Sequence, residues 1–174
     1  MVETPSYEVV KKLGDVEIRK YPKMLLATAT GDDDLFRHLF NYISGANKGS
    51  KKISMTAPVI TPEKIAITSP VMTERDSMSF IVPSQYTRET VPEPTDPQIT
   101  IQEQAAKSRA VLRFSGWGRS DTVEKKKKKL LFDTLKINHI EAKGEIILMR
   151  YDPPFTPWFL RRNEVAVEVS PELD

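Results

Sequence analysis

Apolar and polar positions alternate along the opening of the chain, and the alternation predicts strands. Val16 and Ile18 are separated by Glu17 and Arg19, the period of two that marks a half-buried strand. Tyr7–Leu13 and Val16–Tyr21 flank the turn signal Gly14-Asp15, and Met24–Thr30 follows Pro22 as a third strand. The period then changes. Leu35, Phe36, Leu39, Phe40 and Ile43 recur at helical spacing and form one apolar stripe, which predicts a helix over residues 34–45. Gly31 opens it, Asp32, Asp33 and Asp34 supply a cap and negative charge at its positive end, and Gly45 with 47–49 stops it. Three consecutive aspartates at a helix start fit this cap better than a metal site.

Beyond the helix a short repeat appears: Lys52-Ile-Ser-Met-Thr-Ala-Pro-Val59 is echoed by Lys64-Ile-Ala-Ile-Thr-Ser-Pro-Val71. Met78–Val82 reads as a strand, and Pro83, Pro92, Pro94 and Pro97 mark an aperiodic loop, expected to be a flap or a connector. Strands resume at Gln98–Gln104 and Ala110–Phe114, with a glycine turn at Gly116-Trp117-Gly118. A second helix is predicted over Asp121–Ile137, where Asp121 and Glu124 are spaced like a capping box. Glu145–Tyr151 and Glu164–Val169 close the chain as strands. Both halves follow one order: strands, a glycine turn, a helix, more strands. The expected fold is therefore α+β, a duplicated module in a single domain spanning residues 1–174. Two helices flank a curved, mostly antiparallel sheet, and a ligand cleft lies between helices and strand faces.

Composition narrows the function classes. The 174 residues carry 26 Lys and Arg against 24 Asp and Glu, a balance that gives no reason to expect nucleic acid as a partner. Five of those lysines run consecutively, Lys125–Lys129, but on a helix they spread over about 400° and cannot make one basic face. There is no cysteine, which excludes disulfides, thiolate chemistry and Cys-ligated zinc or haem. No apolar run approaches the ~18 residues that span a bilayer, and Met1–Tyr7 lacks the basic-then-apolar pattern of a secretory leader, so the expectation is a cytoplasmic protein. The Gly-x-Ser-x-Gly elbow, His-Glu-x-x-His, the phosphate-cradling loop and the dinucleotide fingerprint are all missing. The expected protein is not an enzyme.

The string Arg150-Tyr-Asp-Pro-Pro-Phe-Thr-Pro-Trp-Phe-Leu-Arg-Arg-Asn-Glu-Val165 resembles the hallmark of the SOUL haem-binding family. Lys52–Val59, with its Met-Thr-Ala-Pro-Val core, is similar to that family's second hallmark, and Tyr7-Glu8-Val9 with Ile18-Arg19-Lys20-Tyr21 resembles its first strands. The resemblance implies a distorted antiparallel β-barrel or sheet with two flanking helices, the fold of gyrase-inhibitor-like effector-binding domains. It also implies binding of haem or another porphyrin without a strong axial ligand, for transport, buffering or sensing. Lys20 stands where some members have a proposed axial histidine, and a protonated lysine cannot ligate iron. The alternative reading is an effector-binding module for other amphipathic small molecules; a hydrolase using a buried carboxylate such as Glu164 is a third.

Within that frame the candidate cofactor-binding residues are Met55, Lys52, Tyr42, His38, Arg161 and Arg162. His38 and His139 are the only histidines; spacing sets His38 beside Tyr42 at the edge of the first helix's stripe, whereas His139 follows the second helix and is expected to be exposed. A neutral imidazole ligates haem iron, as does a phenolate; the plainer reading of His38 is a partly exposed residue flanking the core. Met55 offers a thioether to a flat ligand, while core packing is the competing reading for Met72, Met78 and Met149. Arg161, Arg162 and Lys52 suit propionate carboxylates; alternatively Arg161-Arg162-Asn163-Glu164 ties the Pro-rich turn to the sheet.

Overall fold

A computed structural model describes residues 2–31, 34–63, 76–116 and 121–171. Nine strands and two helices follow one another as β1 (Glu8–Leu13), β2 (Val16–Tyr21), β3 (Met24–Thr30), α1 (Leu35–Ile43), β4 (Val59–Glu63), β5 (Ser77–Ile81), β6 (Ile99–Gln104), β7 (Lys107–Phe114), α2 (Asp121–Ile137), β8 (Ala142–Arg150) and β9 (Asn163–Val169). Every described strand pairing is antiparallel, which agrees with the expected α+β class. The echo Lys64–Val71, Met72, Asp32, Asp33 and Trp117-Gly118 lie outside the described residues. No helix among the described residues is long and apolar enough to cross a membrane.

The chain divides into two compact units. In one, β3, α1, β5, β6 and most of β4 come together, with strand order β4-β5-β3-β6. Its apolar face buries Leu25, Ala27, Ala29, Phe80 and Ile99 against Leu35, Leu39, Tyr42 and Ile43 of α1. Asp34 caps α1 by accepting the Arg37 N–H at 3.2 Å. The helical stripe is narrower than its spacing predicts. Phe36 and Phe40 stand at its flank, 44% and 51% exposed, stacked on each other with ring centroids 6.2 Å apart. Tyr42, on the other side, takes the buried place beside Leu39 instead.

The second unit orders its strands β1-β2-β7-β9-β8. Gly14, at φ 63°, allows the two-residue turn that joins β1 to β2, with Leu13 opposite Val16. Val16, Ile18, Ala110, Leu112, Val165 and Val167 face Leu131 and Leu135 of α2. Leu130 of α2 is exposed, and Glu124 pairs with Lys128 one turn on at 2.7 Å. Strand β2 also departs from the half-buried expectation, because Arg19 on its polar face is buried as well. In neither unit does the strand order close on itself, so an open sheet, not a barrel, describes each.

The duplication is visible in the pairing. β5 lies between β3 and β4, and β9 lies between β7 and β8, so β3-α1-β4-β5 and β7-α2-β8-β9 share one topology. The units are not the two halves of the sequence, however: β1 and β2 belong with the carboxy-terminal repeat, and β6 belongs with the amino-terminal one.

Candidate functional site

In the first unit the aperiodic loop is a strap fastened along α1. The Tyr42 hydroxyl donates to the Pro92 carbonyl at 2.6 Å, and the Lys48 N–H to that of Glu93 at 2.9 Å. Asn47 bridges to Pro94, and the Thr95 hydroxyl donates to the Ala46 carbonyl at 3.2 Å. His38 Nδ1 lies 2.6 Å from Asp96 Oδ2, and Asp96 Oδ1 accepts the Gln98 N–H at 2.9 Å. Burial alone would raise the Asp96 carboxyl, but the Gln98 N–H and His38 outweigh it and hold it below the ordinary carboxylate value. Tyr42 is buried with its hydroxyl committed, and burial pushes it up to about 12, which works against a phenolate. Met55 is half-buried against the core of this unit, and Lys52 is exposed.

The second unit holds the hallmark string, and there the side chains are densely paired. Glu164 on β9 has no exposed surface. Its Oε2 accepts Arg19 Nη1 at 2.9 Å and the Tyr151 hydroxyl at 2.8 Å, and its Oε1 accepts Arg162 Nη2 at 2.8 Å. Burial and then the Glu164 charge raise the Tyr151 phenol, so it remains a donor. Burial would lower Arg19, but its bonds to Glu164 and Tyr21 reverse this and raise it. The Arg19 guanidinium also covers the Tyr7 ring at 4.2 Å, and Arg162 covers Tyr151 at 4.0 Å.

Arg161 turns the other way and laces the Pro-rich turn, donating through Nε to the Thr156 carbonyl at 2.8 Å and through Nη2 to that of Pro154. The Arg162 N–H donates to Asp152 Oδ2 at 2.6 Å, and the Gly116 N–H to the Trp158 carbonyl at 3.0 Å. The turn so fixed presents apolar side chains outward: Phe155 is 87% exposed, Trp158 50%, Phe159 59% and Leu160 63%. Trp158 and Phe159 meet edge to face with ring centroids 5.6 Å apart, and exposed apolar clusters are a feature of binding faces.

The candidate residues thus divide by unit, His38, Tyr42, Lys52 and Met55 in one and Arg161 and Arg162 in the other. Met149 is a buried core residue, Met78 packs on the first unit's core, and His139 is exposed. Sequence reasoning missed Asp96, which nothing in its own segment distinguishes, and the partnership of Arg19 with Glu164, 145 residues apart. No local signal singled out Arg19: Lys20 lies between Ile18 and Tyr21 as well, and it is exposed.

A family model described as SOUL heme-binding protein matches residues 2–168. The chain belongs to the SOUL family. This SOUL chain is 26% identical to heme-binding protein 2 of Mus musculus, with 96% of the chain and 90% of the relative covered. Among solved structures it is similar to the EcmrR C-terminal domain, with TM-score 0.57, 12% identity and coverage of 94% and 98%. It is also similar to an uncharacterized conserved protein from Listeria innocua, with TM-score 0.62, 11% identity and coverage of 90% and 92%. A hydrolase from the same species has TM-score 0.57, 11% identity and the same coverage. At these identities the structural likenesses establish the fold alone.

Whether the residues of the SOUL chain suit a haem is tested by their donor chemistry. With no cysteine and a committed, proton-holding Tyr42, the candidate residues that keep a donor of the kind haem iron accepts are the imidazole of His38, hydrogen-bonded through Nδ1 to Asp96, and the thioether of Met55. The exposed rings of Phe36, Phe40, Trp158 and Phe159 fit a flat apolar macrocycle.

Proposed function

We propose that residues 1–174 act as one domain that binds haem or a related tetrapyrrole without catalysis, for transport, buffering or sensing. The observation that carries this reading is the family match across residues 2–168. The exposed aromatic side chains support it. Burying them under a planar ligand yields about 25 cal/mol per Å² of apolar area, so an affinity needs no covalent bond to the protein.

Two faces are proposed, one in each unit. In the first, His38 and Met55 serve the ligand from beside α1 and Lys52 meets a carboxylate, with Tyr42 as buried support. In the second, Trp158 and Phe159 provide apolar contact, and Arg161 and Arg162 hold the turn in shape while offering positive charge to propionates. A bound haem would supply an iron and two acidic groups. The chain's own residues bind, orient and shield it. The hydrolase reading finds no support at Glu164, whose two oxygens already accept hydrogen bonds from Arg19, Tyr151 and Arg162, none of which is a nucleophile it could activate.

The test is a titration of the ligand-free protein with haem, an iron-free porphyrin and amphipathic cations. A shifted Soret band at micromolar haem is expected, and it should survive Lys20→Ala. Trp158→Ser and Phe40→Ser report on the two faces separately: loss of affinity in one variant assigns the ligand to that unit. Saturable binding of the cations without any response to porphyrins would replace this reading with the effector-binding one.

A further inference from the structure

Resting on the haem-binding reading, we infer that Asp96 is a positioning residue that makes Nε2 of His38 the iron-binding atom of the first unit. Four observations carry this. His38 Nδ1 and Asp96 Oδ2 are 2.6 Å apart, a charge-assisted distance. The other oxygen, Oδ1, accepts the Gln98 N–H at 2.9 Å, while the Asp96 carbonyl accepts the Ile99 N–H at 3.1 Å, so the carboxylate is held from two sides. The strap that carries Asp96 is tied to α1 and the turn after it at Tyr42, Ala46, Asn47 and Lys48, so Asp96 cannot drift from His38 without breaking several bonds. The two side chains remain about a quarter exposed, at 27% and 26%, so the imidazole can be reached.

The chemistry follows from the tautomer. A neutral imidazole carries one proton, and a carboxylate facing Nδ1 holds it there. The lone pair is then on Nε2, which has no hydrogen-bond partner among the described residues. Accepting a hydrogen bond from Nδ1 also makes the ring a stronger donor through Nε2, as carboxylates hydrogen-bonded behind metal-bound histidines do. A stronger donor favours ferric over ferrous iron. Asp96 therefore sets the ligand field and potential, while apolar burial sets most of the affinity. An ordinary ion pair between helix and strap would explain the distance, but it would leave both spectra and potential indifferent to Asp96.

Two measurements separate these readings. In the ligand-free protein at about pH 8, above the ordinary histidine range, ring nitrogen resonances should show His38 protonated at Nδ1, and Asp96→Asn should shift the ring toward the other tautomer. With haem, the wild type should show low-spin features that His38→Ala abolishes. Asp96→Asn should weaken those features and raise the potential, because the amide still accepts the Gln98 N–H but no longer bears charge or holds the proton on Nδ1. A His38 ring protonated at Nε2, or an unchanged potential in Asp96→Asn, overturns the inference. So does a Soret shift whose high-spin spectrum ignores His38→Ala, which leaves haem binding itself intact. Absence of any Soret response overturns the haem-binding reading first and this inference with it.

Discussion

Glu164 is a residue whose loss should cost the fold heavily. Its carboxylate neutralises Arg19, which is itself buried, and ties Arg162 and Tyr151 to the same point. Glu164→Ala leaves Arg19 with Glu17 at 2.8 Å as its remaining carboxylate and strands the Tyr151 hydroxyl. Breaking a buried pair from one side costs about 3–5 kcal/mol, and the remaining pair brings the expected loss to the lower end, about 3 kcal/mol. Urea unfolding should show a loss of that size, with a smaller one for Glu164→Gln, which keeps an acceptor.

Tyr42 gives a pH dependence with a definite sign. Its folded value is raised to about 12, so the folded chain holds the proton more tightly than the unfolded chain, which releases it near the ordinary tyrosine value of about 10. The contribution is fully present below about 10 and is lost as pH climbs through about 12. Tyr42→Phe should flatten that alkaline loss, measured as unfolding free energy against pH. At neutral pH the variant should be less stable by about 1–3 kcal/mol, since the Pro92 carbonyl loses its donor.

At the scale of elements, the two helices show how far periodicity reaches. Leu39 of α1 and Leu131 of α2 have no exposed surface and face their own unit's sheet. Replacing either with alanine should cost about 2–5 kcal/mol in thermal or chemical unfolding. Phe40 belongs to the same spacing as Leu39 in the sequence, yet its ring is half exposed. Phe40→Ser should therefore change stability far less than Leu39→Ala, and thermal scans of the pair check this. The spacing identified an apolar helix face; it did not say how much of that face the sheet covers. Similarly, the prolines of residues 83–97 announced an aperiodic segment, but apart from the His38–Asp96 pair its described bonds to α1 and the turn after it use backbone carbonyls that no residue pattern encodes.

For the whole molecule, the assignment of strands to units sets the consequences of truncation. β2 is paired on both sides, with β1 and with β7, and it contributes Val16 and Ile18 to the core beneath α2. Removing residues 1–22 would strip that core and leave β7 with an open edge. The shortened chain should aggregate or lose cooperative unfolding, whereas a reading of the units as sequence halves expects the carboxy-terminal half to fold unaided. Expression of residues 23–174, followed by size-exclusion and circular dichroism, distinguishes these outcomes.

What the sequence determined by itself was local. Alternation and turn signals marked eight of the nine described strands, helical spacing marked α1, a capping-box spacing opened α2, and the hallmark strings carried the family. Strand β4 escaped because its residues begin inside a repeat rather than an alternating run. The tertiary structure alone decided what depends on partners distant in the chain. It gave β2 to β7 and β6 to β3, left each sheet open, placed Arg19 on Glu164, and brought Asp96 behind His38. The physical reason is common to all of these. A residue's period fixes the face it occupies, but burial, pairing and the charge state of a buried group depend on what packs against that face.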